Sequence, residues 1–362
     1  MKKTIALLMA LVMVIGLAAC GAKTPAPAAS TPAASTNSAS TANTGSAPAK
    51  ADPIKLVCAH TYASTSDEQK YLLWIADEIS KRTDGGLTMD CISDGQYGSE
   101  AEIEAQCVNN VIQVTLGEGS AWADVVGVPA LGVFGLPYLY TSFEGLKAAG
   151  LNVVKDECQK IFDENNVGLK AFEPFSGGLR GIWTVKQPVE HPADLKGMKI
   201  RVPEIKLFVD TITAMGANPT PIAWGDLYTA LNQGVIDGME VDPDTGYTYK
   251  MNEVTKYYTE TNHLGSLNII CMNKTAWDAL PADYQEIFET VVAEAAAQQY
   301  DVRSGNVDNV LKAMEESGMQ IIRMSPEEIN VFVENMKPVW DEYANEYGVG
   351  DIIDQLAAAG AA

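Results

Sequence analysis

Asp194-Leu195-Lys196-Gly197-Met198-Lys199-Ile200-Arg201-Val202-Pro203 reads as a tight turn through Gly197 feeding a short strand, 199–202, that Pro203 closes. Proline has no N–H to give a neighbouring strand, so pairing stops there. Strand and helix signals alternate on either side of this stretch. Upstream, 54–58, 87–92 and 111–116 are strand-like runs. Between them, Ser66-Asp67-Glu68-Gln69 and Ser99-Glu100-Ala101-Glu102 have capping-box spacing and open helices to about Arg82 and Asn109. Strand signals recur at 168–172 and 181–185. Downstream come helices near 204–215 and 224–233, and strands near 235–239 and 268–272. A long helical stretch, 283–316, is broken at most near Ser304-Gly305, and Ser325-Pro326-Glu327-Glu328 opens a further helix. Such alternation predicts an α/β fold built from parallel β-α-β units.

The 362 residues are 47% hydrophobic and 20% charged, enough apolar mass for a sizeable core, and the length suggests two domains. With 25 Lys and Arg against 47 Asp and Glu, the net charge is −22. That balance excludes phosphate-backbone binding, which needs a basic face, and electrostatic adsorption to anionic lipid.

Lys2 and Lys3 precede an apolar run from Ile5 to Ala19, 15 residues long. A bilayer-spanning helix needs about 20, so the run fits the core of a signal peptide, 1–19. It closes on Leu17-Ala18-Ala19-Cys20-Gly21, which resembles a bacterial lipobox and implies that Cys20 carries lipid at the mature N-terminus. Residues 21–51 are rich in Ala, Pro, Ser and Thr, with no aromatic or acidic residue. With Cys20 they are expected to form a disordered tether, 20–51, with a reach of roughly 30 Å. The acids all lie beyond it, so 52–362 carries 21 bases against 47 acids, a net of −26 that keeps it soluble and off an anionic membrane.

Cys58, Cys91, Cys107, Cys158 and Cys271 show no Cys-x-x-Cys spacing and no nearby His, so no metal site is expected. Their odd number and apolar settings point to buried free thiols. His60, His191 and His263 are far apart, and no zinc-protease, nucleophile-elbow or phosphate-loop motif occurs. Gly117-Glu118-Gly119 lacks the third glycine of a dinucleotide fingerprint. Asp242-Pro243-Asp244-Thr245-Gly246 opens like a calcium loop but lacks its closing Glu and reads as a solvated turn. Neither catalysis nor a cofactor is asked for by these spacings.

The turn-and-strand stretch of 194–203 resembles the signature of TRAP-type substrate-binding proteins, the DctP-like family. The likeness continues through 219–240 (PTPIAWGDLYTALNQGVIDGME) and upstream in Gly95-Gln96-Tyr97-Gly98-Ser99-Glu100 and Leu136-Pro137-Tyr138-Leu139, so it covers nearly all of 54–345. It implies a two-domain periplasmic-binding-protein-like α/β fold with a ligand cleft between domains, crossing strands and a long connecting helix. The lobes are expected at 52–177, completed by about 264–305, and at 178–263, completed by about 306–362.

The same resemblance implies that Arg201 clamps a substrate carboxylate. A planar guanidinium fork matches a carboxylate and stays charged at working pH. Arg180 is implied as a second cleft arginine, Glu118 as a cleft acid and Trp224 as a ligand-contacting aromatic. His60 and Tyr62 follow the first strand, where open α/β sheets bind ligands. Many relatives carry Asn after the Glu of Asp-Gly-x-Glu, but here Val241 follows Glu240. With Trp183 and Trp224 potentially near, that shifts the expected ligand from sugar acids toward a dicarboxylate or an aromatic or aliphatic monocarboxylate. The implied role is capture of this acid outside the cytoplasm by a lipid-anchored monomer and delivery to TRAP membrane subunits. A sensor partner, a secreted enzyme using Glu118, Glu240 and a histidine as acid and base, and an ATP-driven importer are the rivals.

Overall fold

The structure, a computed structural model, describes residues 52–360. The signal peptide, Cys20 and the tether lie outside them. Ten strands form one sheet: β1 (Ile54–Ala59), β2 (Leu87–Ile92), β3 (Val114–Glu118), β4 (Leu169–Ala171), β5 (Phe175–Thr184), β6 (Lys199–Val202), β7 (Asn218–Pro221), β8 (Gly238–Val241), β9 (Tyr257–Asn273) and β10 (Gln320–Ile322). Their order is β2-β1-β3-β9-β5-β8-β6-β7, with β4 and β10 also on β9. One flank, β2-β1-β3, is parallel, and so is the other, β8-β6-β7. Antiparallel β5 and β9 run between the flanks, as the fold's crossing strands.

Ser99 and Glu102 cap the helix Glu100–Val108 reciprocally, as the spacing predicts. At the helix Asp67–Arg82 only half of the expected box forms: Ser66 accepts from the Gln69 amide, but the Gln69 side chain turns to His60 instead of the Ser66 backbone. The helix Asp67–Arg82 buries Leu72, Ile75 and Ile79 against β1, β2 and the first half of the long helix Ala282–Glu316. That helix is unbroken at Ser304-Gly305. At 35 residues it is about 52 Å long. Phe288, Val291 and Val292 pack beneath the first flank, whereas Val310, Leu311 and Met314 pack with Trp183 and Met239 beneath the second. One rigid rod thus contributes to both cores.

Differences from the sequence reading have local causes. The third strand begins at Val114, because Asn109 caps the preceding helix, Asn110 turns at positive φ and Val111 is exposed. A single strand runs over the seventeen residues Tyr257–Asn273, although only 268–272 reads as an apolar run. Edge strand β7 contains Pro219 and Pro221 and pairs only with β6. All five described cysteines are free thiols; Cys91 is half-buried and the other four are buried. The 242–246 segment is no solvated turn. Asp242 caps the helix Pro243–Thr248, accepting from the Thr245 amide at 3.0 Å, and its carboxylate is buried against Arg303 at 2.8 Å.

Candidate functional site

Ile200 and Val202 enter the main core, so strand alternation turns Arg201 to the other face of β6. There it borders two adjoining chambers: an inner one of about 80 Å³ against β5, β8 and β9, and an outer one of about 310 Å³ against the segment 94–101. Thr61, Glu100, Arg201, Pro203, Ile205 and Trp224 line both. Arg201 is 2% exposed, and its Nε donates to the Ile222 carbonyl at 2.8 Å. Its guanidinium carbon lies 5.4 Å from the Trp224 ring centroid, and Trp224 meets Tyr249 edge-on at 4.8 Å. Tyr249 in turn donates to the Thr61 carbonyl at 3.1 Å. The guanidinium is therefore oriented before any ligand arrives. Among the described residues no carboxylate forms an ion pair with it. Burial pulls its pKa down to about 10, which leaves it charged at neutral pH.

Arg180 also lines the inner chamber but is already spoken for. It grips Glu240 with Nε–Oε2 at 2.6 Å and Nη2–Oε1 at 2.8 Å, and Nη2 also donates to the Glu240 carbonyl at 3.0 Å. Burial alone would lower its pKa, but the Glu240 charge holds it above the ordinary value. Burial would likewise raise Glu240, yet Arg180 keeps that carboxyl below its usual range. Burial holds the His263 pKa down, so this ring, 3.7 Å from Glu240, is neutral at pH 7. The pair is close to electrically neutral, and Arg201 carries the cleft's unpaired positive charge.

An acceptor wall lies at the ends of β3 and β9. Glu118 and Asn268 are register partners, and both line the inner chamber with Ser266. The Ser266 hydroxyl donates to Glu118 Oε2, while Oε1 is buried without a partner. Burial pushes the Glu118 carboxyl up to about 7. Glu100, the first residue of its helix, accepts from the Glu118 amide at 2.7 Å, and burial raises its pKa too.

One turn on, Glu104 is fully buried with neither oxygen partnered, and burial raises its pKa well above the ordinary value. It presses on Gly117, where a Cβ would sit 2.1 Å from Glu104 Oε1. A carboxyl whose folded pKa is raised costs nothing below its unfolded pKa and costs progressively more as pH rises toward the folded one. Glu104→Gln should thus raise stability at pH 7 by roughly 1–3 kcal/mol, with the gain vanishing near pH 4. Urea unfolding at the two pH values checks this; equal gains at both would contradict it.

Of the residues singled out from sequence, Arg201, Arg180, Glu118, Trp224, Tyr62 and Val241 line the inner chamber. Trp183 and His60 do not. Trp183 is wholly buried in the second flank's core, and its Nε1 donates to the Val241 carbonyl at 3.0 Å, behind the chamber wall. His60 is buried with Nε2 at 2.7 Å from Gln69 Oε1, so it holds the helix Asp67–Arg82 rather than a ligand. Glu100, Ser266, Asn268, Phe208 and Tyr249 were not anticipated. Ser266 and Asn268 did leave a trace, as polar residues at period two between Leu267 and Ile269.

Residues 58–346 match the family model described as bacterial extracellular solute-binding protein, family 7 (DctP). The chain is 29% identical over 315 residues to the C4-dicarboxylate-binding periplasmic protein DctP of Rhodobacter capsulatus, covering 86% of this chain and 92% of that protein. It is 24% identical over 246 residues to the 2,3-diketo-L-gulonate-binding periplasmic protein YiaO of Escherichia coli, covering 68% and 74%. Among solved structures, a TRAP periplasmic solute binding protein of Pseudomonas putida F1 with bound D-glucuronate superposes with a TM-score of 0.78 at 26% identity, over 84% of this chain and 97% of that one. The sugar acid binding protein of Advenella mimigardefordensis in complex with galactonate shares the fold with a TM-score of 0.78 at 23% identity, over 85% and 98%.

Proposed function

Because the chain belongs to the bacterial extracellular solute-binding protein family 7, the DctP family, we propose that it captures a small organic acid by its carboxylate at Arg201 and delivers it to TRAP membrane subunits. It is a solute-binding protein, not an enzyme, as its family and relatives are. The observation that carries the carboxylate reading is the buried Arg201 guanidinium, fixed by the Ile222 carbonyl and Trp224 and paired with no acid among the described residues. A bidentate carboxylate would complete it.

The charge balance of the cleft selects among acids. One unpaired cation faces Glu100 and Glu118, so a second carboxylate on the ligand would meet like charge or have to bring a proton. Acceptors at Glu118 and Glu100 instead suit donor hydroxyls, and Asn268 brings to the chamber the amide that Val241 lacks. This favours a hydroxylated monocarboxylate over the dicarboxylate or plain aromatic acid expected from sequence. Calorimetric titration at pH 7.5 should show a hydroxylated monoacid such as gluconate binding at least about tenfold tighter than succinate, some 1.4 kcal/mol. Tighter succinate binding would reverse the assignment.

Domain closure around the acid would then be driven by contacts made only in the closed form. We assign the two lobes to 52–177 with about 264–305, and 178–263 with about 306–362. Lipid at Cys20 and the tether would hold a monomer near its transporter and raise its effective concentration there. Palmitate labelling of the expressed chain should disappear in Cys20→Ser; persistent labelling would place the lipid elsewhere.

A further inference from the structure

We propose that Cys58 and Cys91 are a redox couple that closes a disulfide between β1 and β2, directly beneath the cleft wall. They are register partners on adjacent parallel strands. Both side chains face the same core, under the helix Asp67–Arg82. Adjacent strands lie about 4.7–4.9 Å apart, within the roughly 4.4–6.8 Å span of Cα atoms that a disulfide bridges. The strand pairing thus already supplies the Cα separation, and side-chain rotation with a small approach of the two Cβ atoms completes the bridge. Cys91 donates to the Leu72 carbonyl at 3.5 Å and is half-buried, so it is the sulfur an oxidant reaches; Cys58 is fully buried.

The setting supplies both the oxidant and the consequence. Proteins of this family are extracellular, where disulfide donors persist and thiols pair. Cys91, as thiolate, attacks one sulfur of a donor disulfide, whose S–S bond breaks and releases one thiol. Cys58 then attacks the Cys91 sulfur, the mixed S–S bond breaks, and the second thiol leaves. Two protons and two electrons pass from the two cysteines to the donor, now a dithiol or two thiols. Just past the pair, both strands turn into the loops that line the cleft. The His60 amide donates to the Ile92 carbonyl at 3.0 Å, the Asp94 amide to the Tyr62 carbonyl at 2.9 Å, and the Gly95 amide to the His60 carbonyl at 3.1 Å. Thr61 and Asp94 border the outer chamber. A covalent staple between β1 and β2 would restrain both loops at their roots.

The test incubates the reduced, full-length protein with oxidised glutathione, alkylates the remaining thiols and digests it without reduction. Mass spectrometry should find one cross-linked peptide pair, Cys58 with Cys91, with Cys107, Cys158 and Cys271 alkylated only after unfolding. The melting temperature should rise by a few degrees on oxidation and fall back with dithiothreitol, because the bridge constrains the unfolded chain. Cys58→Ser should stop at a glutathione adduct on Cys91, and Cys91→Ser should give neither adduct nor bridge. If Cys58→Ser misfolds, the wild-type peptide map and Cys91→Ser decide alone. Both thiols remaining alkylatable after full exposure to the oxidant, or Cys91 pairing with another cysteine, would overturn the proposal.

Discussion

Arg201→Ala should weaken acid binding by about 3–5 kcal/mol, roughly a hundred- to a few thousand-fold, while the protein stays folded. The loss is large because the ligand carboxylate would be left desolvated in a cleft whose other arginine is committed to Glu240. Arg180 cannot substitute without abandoning a buried carboxylate. Stability should hold or improve, since the substitution removes a buried cation with no ionic partner among the described residues. Arg201→Lys should restore only part of the affinity. An ammonium keeps the charge but loses both the fork and the bond that fixes it to Ile222. Calorimetric titration with the best acid from a thermal-shift screen measures both variants. Alanine with wild-type affinity, or lysine with full rescue, would remove the clamp from the account.

Arg303→Met should cost the fold about 3–5 kcal/mol. Arg303 sits on the long helix, 3% exposed, and gathers carboxylates from two other helices. Nη1 lies 2.8 Å from Asp67 and 2.7 Å from Glu68, and Nη2 lies 2.8 Å from Asp242. Nη2 also donates to the Thr245 hydroxyl at 2.9 Å. One turn earlier, Gln299 donates to Asp67 at 2.9 Å and accepts from the Ser176 amide at 2.8 Å. Burial pushes Glu68 up to about 8, so much of that carboxyl holds a proton at neutral pH. Burial also works to raise Asp67, but Arg303 holds it below its ordinary value.

The sign follows from Asp67. Its depressed folded pKa contributes stability above the unfolded pKa and loses it as pH falls through the folded one. Without Arg303 that contribution is gone and the buried acids must protonate, so the variant's deficit should narrow as pH drops toward 4. Urea unfolding at pH 7.5 and pH 4.5 checks both size and direction. A deficit under about 1 kcal/mol at pH 7.5 would mean water already solvates the cluster.

The short strand that carries Arg201, bounded by a glycine turn and a proline, was legible in the local sequence, whereas the role of Arg201 came only from the resemblance of 194–203 to a family signature. Period-two counting also explains the misreading of Trp183. It lies three positions beyond Arg180 on β5, hence on the opposite face, where it joins the core. Glu100 was recognised only as part of a capping box, because its second task depends on β3 arriving beside the helix start, which local sequence does not encode. The crossing strand β9 was half hidden for a related reason. Its first part, Tyr257 to Leu264, mixes Thr, Glu, Asn and His among its apolar residues and becomes strand through pairing with β5 and β10. Arg303 looked like one more charge on a long helix. Its role appears only when Asp67 and Asp242, 175 residues apart in sequence, meet it.

The central claim is that the cleft recognises a carboxylate, and the most direct test is a matched pair of ligands. The acid that most stabilises the protein in a thermal-shift screen is titrated calorimetrically at pH 7.5 beside its primary amide, which keeps shape and hydroxyls but carries no charge. The acid should bind and the amide should lose at least about a hundredfold, some 2.7 kcal/mol. An amide that binds as tightly as the acid would contradict the claim, because Arg201 would then be an ornament of the cleft rather than the group that selects its ligand.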